Sequence, residues 1–382
     1  MIESKICGRI KKLNNTFKLF QEVLETVFLF EKSKNMYDFI IVGSGLAGVS
    51  FAEELRKRNK TFYVITDNSQ KSSMIAGGIF NPMILKRFTL AWKAHHQIAL
   101  MDAFYSQLSD FLGHKIIEFM PILRKFASVE EQNNWFLAAE KPEISTFLAT
   151  DIIAQYNLAV PAPFGFGKVR QTGRLQIREM IDFLQEIWRN QGILLEETFH
   201  YQLLKIEDEE VSYQGIKAQN IVFCEGFGVV KNPFFGNVPM KPCKGELLTF
   251  KAENLKINEI IKSDGFIFPI GDDFYKIGAT YQWEDLTENP TEKAKEELIQ
   301  KLEKLINCSY EIINQEAAVR PTVADRRPLI GKHPKYNNLY ILNGLGTRGV
   351  MIAPYVAKLL ADSIYKGVAI DKEVDVNRYK FA

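Results

Sequence analysis

The sequence predicts an α/β plus α+β protein, in which a Rossmann-like nucleotide-binding domain is interleaved with a domain built on an antiparallel sheet. Three observations carry that expectation. From Tyr37 to Asp67 an apolar run, a glycine turn, a helical pattern and a second apolar run follow one another, which is the order of a βαβ dinucleotide unit. Two later apolar runs, ending near Phe223 and Leu342, also lead into glycine turns. Between them, strand-like runs precede a charged helical pattern, as in α+β domains.

The chain of 382 residues is long enough for two domains with a sizeable core. A formal charge of +2 gives no electrostatic reason to expect nucleic acid or an anionic membrane as the main partner. The four cysteines, Cys7, Cys224, Cys243 and Cys308, form no C-x-x-C pair. We expect buried thiols in a reducing, cytoplasmic setting, with no metal site. No apolar run reaches the ~18 residues of a membrane span.

Residues 1–35 carry apolar positions at helical spacing, from Ile6 and Ile10 to Leu24 and Val27, over a basic first half. Glu22 and Glu25 interrupt the apolar part, which argues against a signal peptide. A dispensable extension, with Met36 as an alternative start, and an amphipathic surface helix are the two readings. The first strand is Phe39–Val42. Gly43 then suits a tight turn, Gly45 a close approach of backbone to pyrophosphate, and Gly48 close packing of helix on strand. The helix that follows offers free N–H groups and a partial positive charge to phosphate. The second strand, Phe62–Ile65, leads to Thr66 and Asp67, one of which is expected to hold a ribose. Ser72, Ser73 and the backbone near Gly77 can lie flat on a ligand and donate hydrogen bonds.

A helix is predicted over 90–112; its His95 and His96 read as surface or packing residues. Pro161–Gly167 reads as a loop between domains, and 174–190 as an amphipathic helix. The strand ending at Phe223 runs into Glu225-Gly226, a second return to the nucleotide sheet. Lys244–Phe250, Gly265–Pro269 and Tyr275–Thr280 read as strands, Thr291–Ile306 as a helix, Leu339–Leu342 as a buried strand and Met351–Tyr365 as a final helix. The expected segments are an extension, 1–35; three parts of the nucleotide-binding domain, 36–100, 169–240 and 321–382; and two parts of the substrate domain, 101–168 and 241–320. A nicotinamide dehydrogenase completes its nucleotide site in the first half of the chain. Return to the sheet at the C-terminus favours FAD.

Five stretches taken together, in this order and spacing, resemble the D-amino-acid oxidase-like family of FAD proteins, and within it the glycine oxidases and the oxidase domain of a bifunctional tRNA-modifying enzyme. They are the first glycine motif, Ser73-x-x-Ala-Gly77, Lys244-Gly-Glu-Leu, Val319-Arg-Pro321 with Pro328-Leu-Ile-Gly331, and Arg348-Gly-x-x-x-Ala-Pro354. The resemblance implies non-covalent FAD. Gly43, Gly45, Leu46, Ala47 and Gly48 would hold the pyrophosphate, and Thr66 or Asp67 the ribose. Ser72, Ser73, Ala76, Gly77 and Gly78 would line the flavin side. Leu345, Gly346, Thr347, Arg348, Gly349, Val350 and Met351 would cradle the isoalloxazine.

The resemblance also implies that Arg320 binds the substrate carboxylate, an assignment that suits a guanidinium fork. Arg348 would neutralise reduced flavin or bind substrate. Two positions depart from the glycine-oxidising branch, which carries a tyrosine where Phe266 stands and an arginine where Thr347 stands. The expected activity is FAD-dependent oxidation of the C–N bond of an amino acid or N-substituted glycine, by hydride transfer to flavin N5, with O2 or another electron acceptor. The alternatives are oxidation of a carboxymethylaminomethyl-type tRNA nucleoside and a non-catalytic flavin-binding protein.

Overall fold

A computed structural model of the protein describes residues 36–380, so the readings of residues 1–35 lie outside the described residues. β1 (Tyr37–Val42), α1 (Leu46–Lys57) and β2 (Phe62–Ile65) form the expected opening unit, with β1 and β2 parallel from Phe39–Phe62 to Val42–Ile65. Phe39, Ile40 and Ile41 are fully buried, as an unbroken apolar run in a strand covered on both faces must be. The one-turn helix α2 (Ser72–Ile75) and the long α3 (Ala94–Leu112) follow.

The chain then enters a second sheet with β3 (Ile122–Lys125), α4 (Val129–Ala139), β4 (Leu148–Ile153) and β5 (Phe166–Val169). The expected loop Pro161–Gly167 is therefore shorter, because Phe166 and Gly167 belong to β5. Gly167 is there for packing: a Cβ would lie 2.6 Å from the rings of Phe126 and Trp135. The amphipathic α5 (Ile177–Asn190) leads back to the first sheet through β6 (Leu194–Leu195), β7 (Leu204–Ile206), β8 (Val211–Tyr213) and β9 (Ile216–Phe223).

β10 (Cys243–Lys251), β11 (Ile260–Lys262), β12 (Phe266–Gly271) and β13 (Phe274–Gly278) return to the second sheet, with α6 (Glu292–Glu303) and β14 (Glu311–Arg320) completing it. β15 (Leu329–Lys332), β16 (Leu339–Asn343) and α7 (Gly349–Lys366) close the first.

The central order of the first sheet is β6-β2-β1-β9, with β16 parallel to the end of β9 through Ile221–Leu339 and Phe223–Ile341. β2, β1, β9 and β16 are thus neighbours, and the loops after β1, β9 and β16 are the three glycine turns. The topology brings together at one carboxyl edge what the sequence separates by some three hundred residues. Arg58 ties the flanking helices by pairing with Glu54 on α1 and, at 2.8 Å, with Asp362 on α7. Pro354 inside α7 has no N–H for the carbonyl of Val350. The buried Tyr105 hydroxyl on α3 donates to that carbonyl instead, at 3.1 Å, and so fixes the first turn of α7.

The second sheet runs β14-β10-β13-β12-β11-β3-β5-β4 and is antiparallel except between β11 and β3. Alternation along its strands separates two faces. Leu248, Phe250, Ile261, Ile267 and Ile277 pack under Leu298 and Leu302 of α6. Each fully buried leucine contributes about 2 kcal/mol. The opposite face carries Leu247, Lys262, Phe266, Phe268 and Arg320, which line a cavity shared with the first sheet.

Candidate active site

The glycine turns of the first sheet and that face of the second enclose one cavity of about 600 Å³. Of the residues singled out in the sequence, Gly43, Gly45, Leu46, Ala47, Thr66, Asp67, Ser72, Ser73, Ala76, Gly77, Gly78, Arg320 and all of Leu345–Met351 line it. Gly48 does not. It sits behind the turn, where a Cβ would come within 1.9 Å of the Gly43 carbonyl oxygen, so its part is the close helix–strand contact expected of it.

The first turn is shaped for a close-lying anion. Gly43 has φ +99 and abuts β9, where a Cβ would meet the Cys224 carbonyl oxygen at 2.5 Å. Gly45 begins α1 without a side-chain cap, and the N–H of Leu46 donates to Ser73 Oγ at 3.1 Å. The first N–H groups of a helix have no intrahelical acceptor, so this end offers donors and a partial positive charge to phosphate. A dinucleotide fits this cradle. At the end of β2, Thr66 is buried and accepts from Ser44 Oγ at 3.0 Å. Asp67 lies on the exposed side. Burial works against its charge, but hydrogen bonds from Ser69 N and Thr198 Oγ1 hold its pKa below the ordinary carboxylate value.

On the far side the second sheet closes on α2 and the last glycine turn. A Cβ on Gly77 would lie 2.6 Å from the ring of Phe268. Arg348 reaches back to donate to the carbonyls of Asn81 (2.5 Å) and Met83 (3.1 Å), and burial lowers its pKa. It brackets the start of α7 to the segment after α2.

Arg320 ends β14 over an absence of side chain. A Cβ on Gly245 would lie 1.9 Å from its Nη2. Both terminal nitrogens donate to the Thr280 carbonyl at 3.3 Å, and the guanidinium carbon stands 4.7 Å from the centre of the Tyr281 ring. Among the described residues it has no carboxylate partner within ion-pair distance. Alternation along β10 explains the Lys-Gly-Glu sequence. Gly245 faces the cavity, while Lys244 and Glu246 face away. Lys244 is fully buried and bonds Asp285 (2.6 Å) and the Asn289 carbonyl. Glu246 accepts from Thr291 N (2.9 Å) and Thr291 Oγ1 (2.8 Å). The two clamps hold the segment that bears Tyr281. Gly245→Ala should therefore displace Arg320; if Arg320 binds the substrate carboxylate and the site holds FAD, as the resemblance implies, the substrate KM rises by roughly 10–100-fold with flavin content at the wild-type level. Steady-state kinetics set against the absorbance ratio of the purified variant check this, and an unchanged KM would separate Gly245 from Arg320.

Sequence reasoning missed several cavity residues. Tyr281, Lys262 and Phe268 belong to no motif, and only the strand register reveals that they share a face with Arg320. Glu225, just after β9, is buried and accepts from Tyr201 Oη (2.5 Å) and Asn232 Nδ2 (2.8 Å). Burial outweighs these bonds and pushes its pKa from 4.5 up to about 7. Between those values the folded chain holds a proton that the unfolded chain has released, so this group makes stability fall as pH rises through that window and level off above it. The melting temperature of Glu225→Gln, relative to wild type, should accordingly climb from pH 4.5 to pH 7. A pH-independent difference in thermal melts would contradict it. His95 bonds the Glu143 carbonyl at 2.9 Å and packs on Phe147, outside the cavity lining. Cys224 and Cys243 are buried free thiols. No described helix is long and apolar enough to cross a membrane.

A family model described as FAD dependent oxidoreductase matches residues 38–363. Glycine oxidase of Bacillus licheniformis is 24% identical over 87% of this chain and 94% of its own. The tRNA 5-methylaminomethyl-2-thiouridine biosynthesis bifunctional protein of Nitrosospira multiformis is 24% identical over 84% of this chain, but only 56% of that longer protein is spanned. Among solved structures, glycine oxidase from Geobacillus kaustophilus superposes with a TM-score of 0.76 at 18% identity, covering 91% of this chain and 100% of its own. Iminodiacetate oxidase from Chelativorans sp. BNC1 gives 0.73 at 16% identity, covering 88% and 98%. At these identities the structural likenesses show a shared fold.

Proposed function

Because the chain belongs to the FAD dependent oxidoreductase family, we propose that it oxidises the C–N bond of an amino acid or N-substituted glycine whose carboxylate is held by Arg320. The observation that supports this most is the state of Arg320: a cation facing the cavity, braced by a carbonyl and an aromatic ring, with no acid beside it among the described residues. Such a group is left for an incoming carboxylate, which a guanidinium meets with paired hydrogen bonds.

In this reading the turn Gly43–Ala47 holds the pyrophosphate of FAD, with Gly48 packing behind it. Asp67 takes the ribose while Thr66 supports the turn through Ser44, and Ser72–Gly78 with Leu345–Met351 hold the flavin without a covalent bond. FAD supplies the acceptor for the hydride that leaves the substrate carbon, and the resulting imine is hydrolysed by water. The protein supplies position and charge. Arg320 fixes the carboxylate and so restricts the neighbouring C–H. Arg348 adds a buried positive charge beside the last glycine turn. Leu247, Phe266 and Phe268 keep the chamber apolar. In this reading the amine binds neutral and needs no side-chain base.

One observation favours a second reading, oxidation of a carboxymethylaminomethyl-type tRNA nucleoside. Tyr281 and Trp283 are more than half exposed and stacked, with centroids 6.2 Å apart. Such a surface beside Arg320 suits a nucleobase. The test for both is anaerobic mixing of the flavin-loaded protein with glycine, sarcosine, D-amino acids and L-proline, then with undermodified tRNA. Bleaching of the flavin bands by a free amino acid supports the first reading. Bleaching by tRNA alone supports the second, and bleaching by none removes both.

A further inference from the structure

The acidic residues of the cavity, Asp67, Glu197 and Glu225, all follow strands of the first sheet, as do Lys231 and Arg348; the second sheet brings no carboxylate to the lining. The second sheet contributes charge only through Arg320 and Lys262. Lys86, an exposed residue on the hairpin after α2, adds a third positive group to that side.

Lys262 repeats the circumstances of Arg320. Its ammonium stands 4.6 Å from the centre of the Phe266 ring and donates to the Asp264 carbonyl at 3.1 Å. No carboxylate of the described residues lies within ion-pair distance of it; the acids nearby pair elsewhere, Glu131 with Arg124 and Glu297 with Lys301. Burial, Arg124 on β3 and Lys301 on α6 draw its pKa down, Asp264 draws it up, and it settles at about 8. It is thus charged at neutral pH, in a place where an unneutralised cation is costly.

The register fixes its relation to Arg320. Lys262 pairs with Phe266, Phe266 with Gly278 and Gly278 with Leu247, so all face the cavity beside Gly245 and Arg320. β11 and β14 are four strand spacings apart, roughly 19 Å at the backbone; the side chain of Arg320 already reaches over Gly245 on β10, and that of Lys262 closes part of the rest.

We propose that Lys262 is a second anion-binding residue of this site, and that its substrates are dianions. One carboxylate sits at Arg320, and a second acidic group, carboxylate or phosphate, lies several bonds away at Lys262. This rests on the proposed role of Arg320 but goes beyond it, because an amino acid with an uncharged side chain or N-substituent leaves Lys262 unneutralised.

The test is binding to the flavin-loaded protein by titration calorimetry, with dicarboxylates from succinate to suberate set against monocarboxylates of equal length. At neutral pH the longer dicarboxylates should bind about tenfold tighter, as one added charge-assisted contact implies. Lys262→Met should lower dicarboxylate affinity about tenfold more than monocarboxylate affinity, and Lys262→Arg should keep the preference. ω-Phosphonocarboxylates of the same length decide between phosphate and carboxylate as the second group. Equal affinity for the two series, or an equal loss for both in Lys262→Met, overturns the proposal. In parallel, anaerobic flavin reduction is compared for N-(carboxyalkyl)glycines and N-alkylglycines. Reduction by both alike refutes the dianion preference and leaves the amine-oxidising reading intact. Preferential binding of dicarboxylates with no reduction by any amine does the reverse.

Discussion

Replacing Arg320 by alanine should leave FAD bound and lower kcat/KM by roughly 10²–10³-fold, the loss of about 3–4 kcal/mol expected when one partner of a desolvated charge pair is removed. The guanidinium is a cavity wall and no part of the first sheet. Its bonds are to the Thr280 and Lys244 carbonyls and Cys243 Sγ, and it packs on the Tyr281 ring, all in the second sheet and the segment after β13, so its removal leaves the glycine turns untouched and the flavin spectrum should be that of wild type. Arg320→Lys separates charge from shape. A single ammonium cannot form the paired contact, so it should recover only part of the loss, and added guanidinium should restore activity to the alanine variant alone. Wild-type kcat/KM in Arg320→Ala would remove Arg320 from the role and with it the main support for a carboxylate substrate.

The sequence showed the glycine turns and their strands because local chemistry alone dictates them. An apolar run running into glycine reads as a strand leading to a tight turn whatever surrounds it, and β1, β9 and β16 all follow that pattern. Lys244-Gly-Glu was visible as a motif, but its logic was not. Its meaning depends on alternation across β10, with Gly245 beneath Arg320 and Lys244 and Glu246 clamping the segment before α6. Tyr281 and Lys262 were silent for the same reason: each shares a face with Arg320 only through the ladder that joins its segment to β10 and β14, Tyr281 by the Lys244–Gln282 bridge and Lys262 by way of Phe266, Gly278 and Leu247. Gly167 misled, because a glycine after Pro161 and Pro163 reads as a loop, whereas here it makes room for two aromatic rings within β5. Local signals carry turns and caps; register and packing are long-range and leave little trace in one chain.

The other large effect is expected at Gly45, and the backbone there shows why. Gly45 has φ −70 and ψ −173, an extended conformation open to any residue, unlike Gly43 at φ +99. The turn therefore does not need glycine at this position for its conformation; what a side chain would remove is space. A Cβ there meets only the Ser73 side chain, its Oγ at 3.1 Å, which can turn away at the loss of its one bond from the Leu46 N–H. Gly45→Val should fold, with a far-ultraviolet spectrum like that of wild type, and be purified colourless, because its methyl groups occupy the ground before the first N–H groups of α1. Gly48→Ala makes the contrast. Its Cβ would collide with the Gly43 backbone at 1.9 Å, which has nowhere to move beside β9, so that variant should lose thermal stability as well as flavin. If Gly45→Val is yellow, the pyrophosphate does not lie on this turn. If Gly45→Val and Gly48→Ala both misfold, close packing accounts for both glycines, and the cofactor for neither.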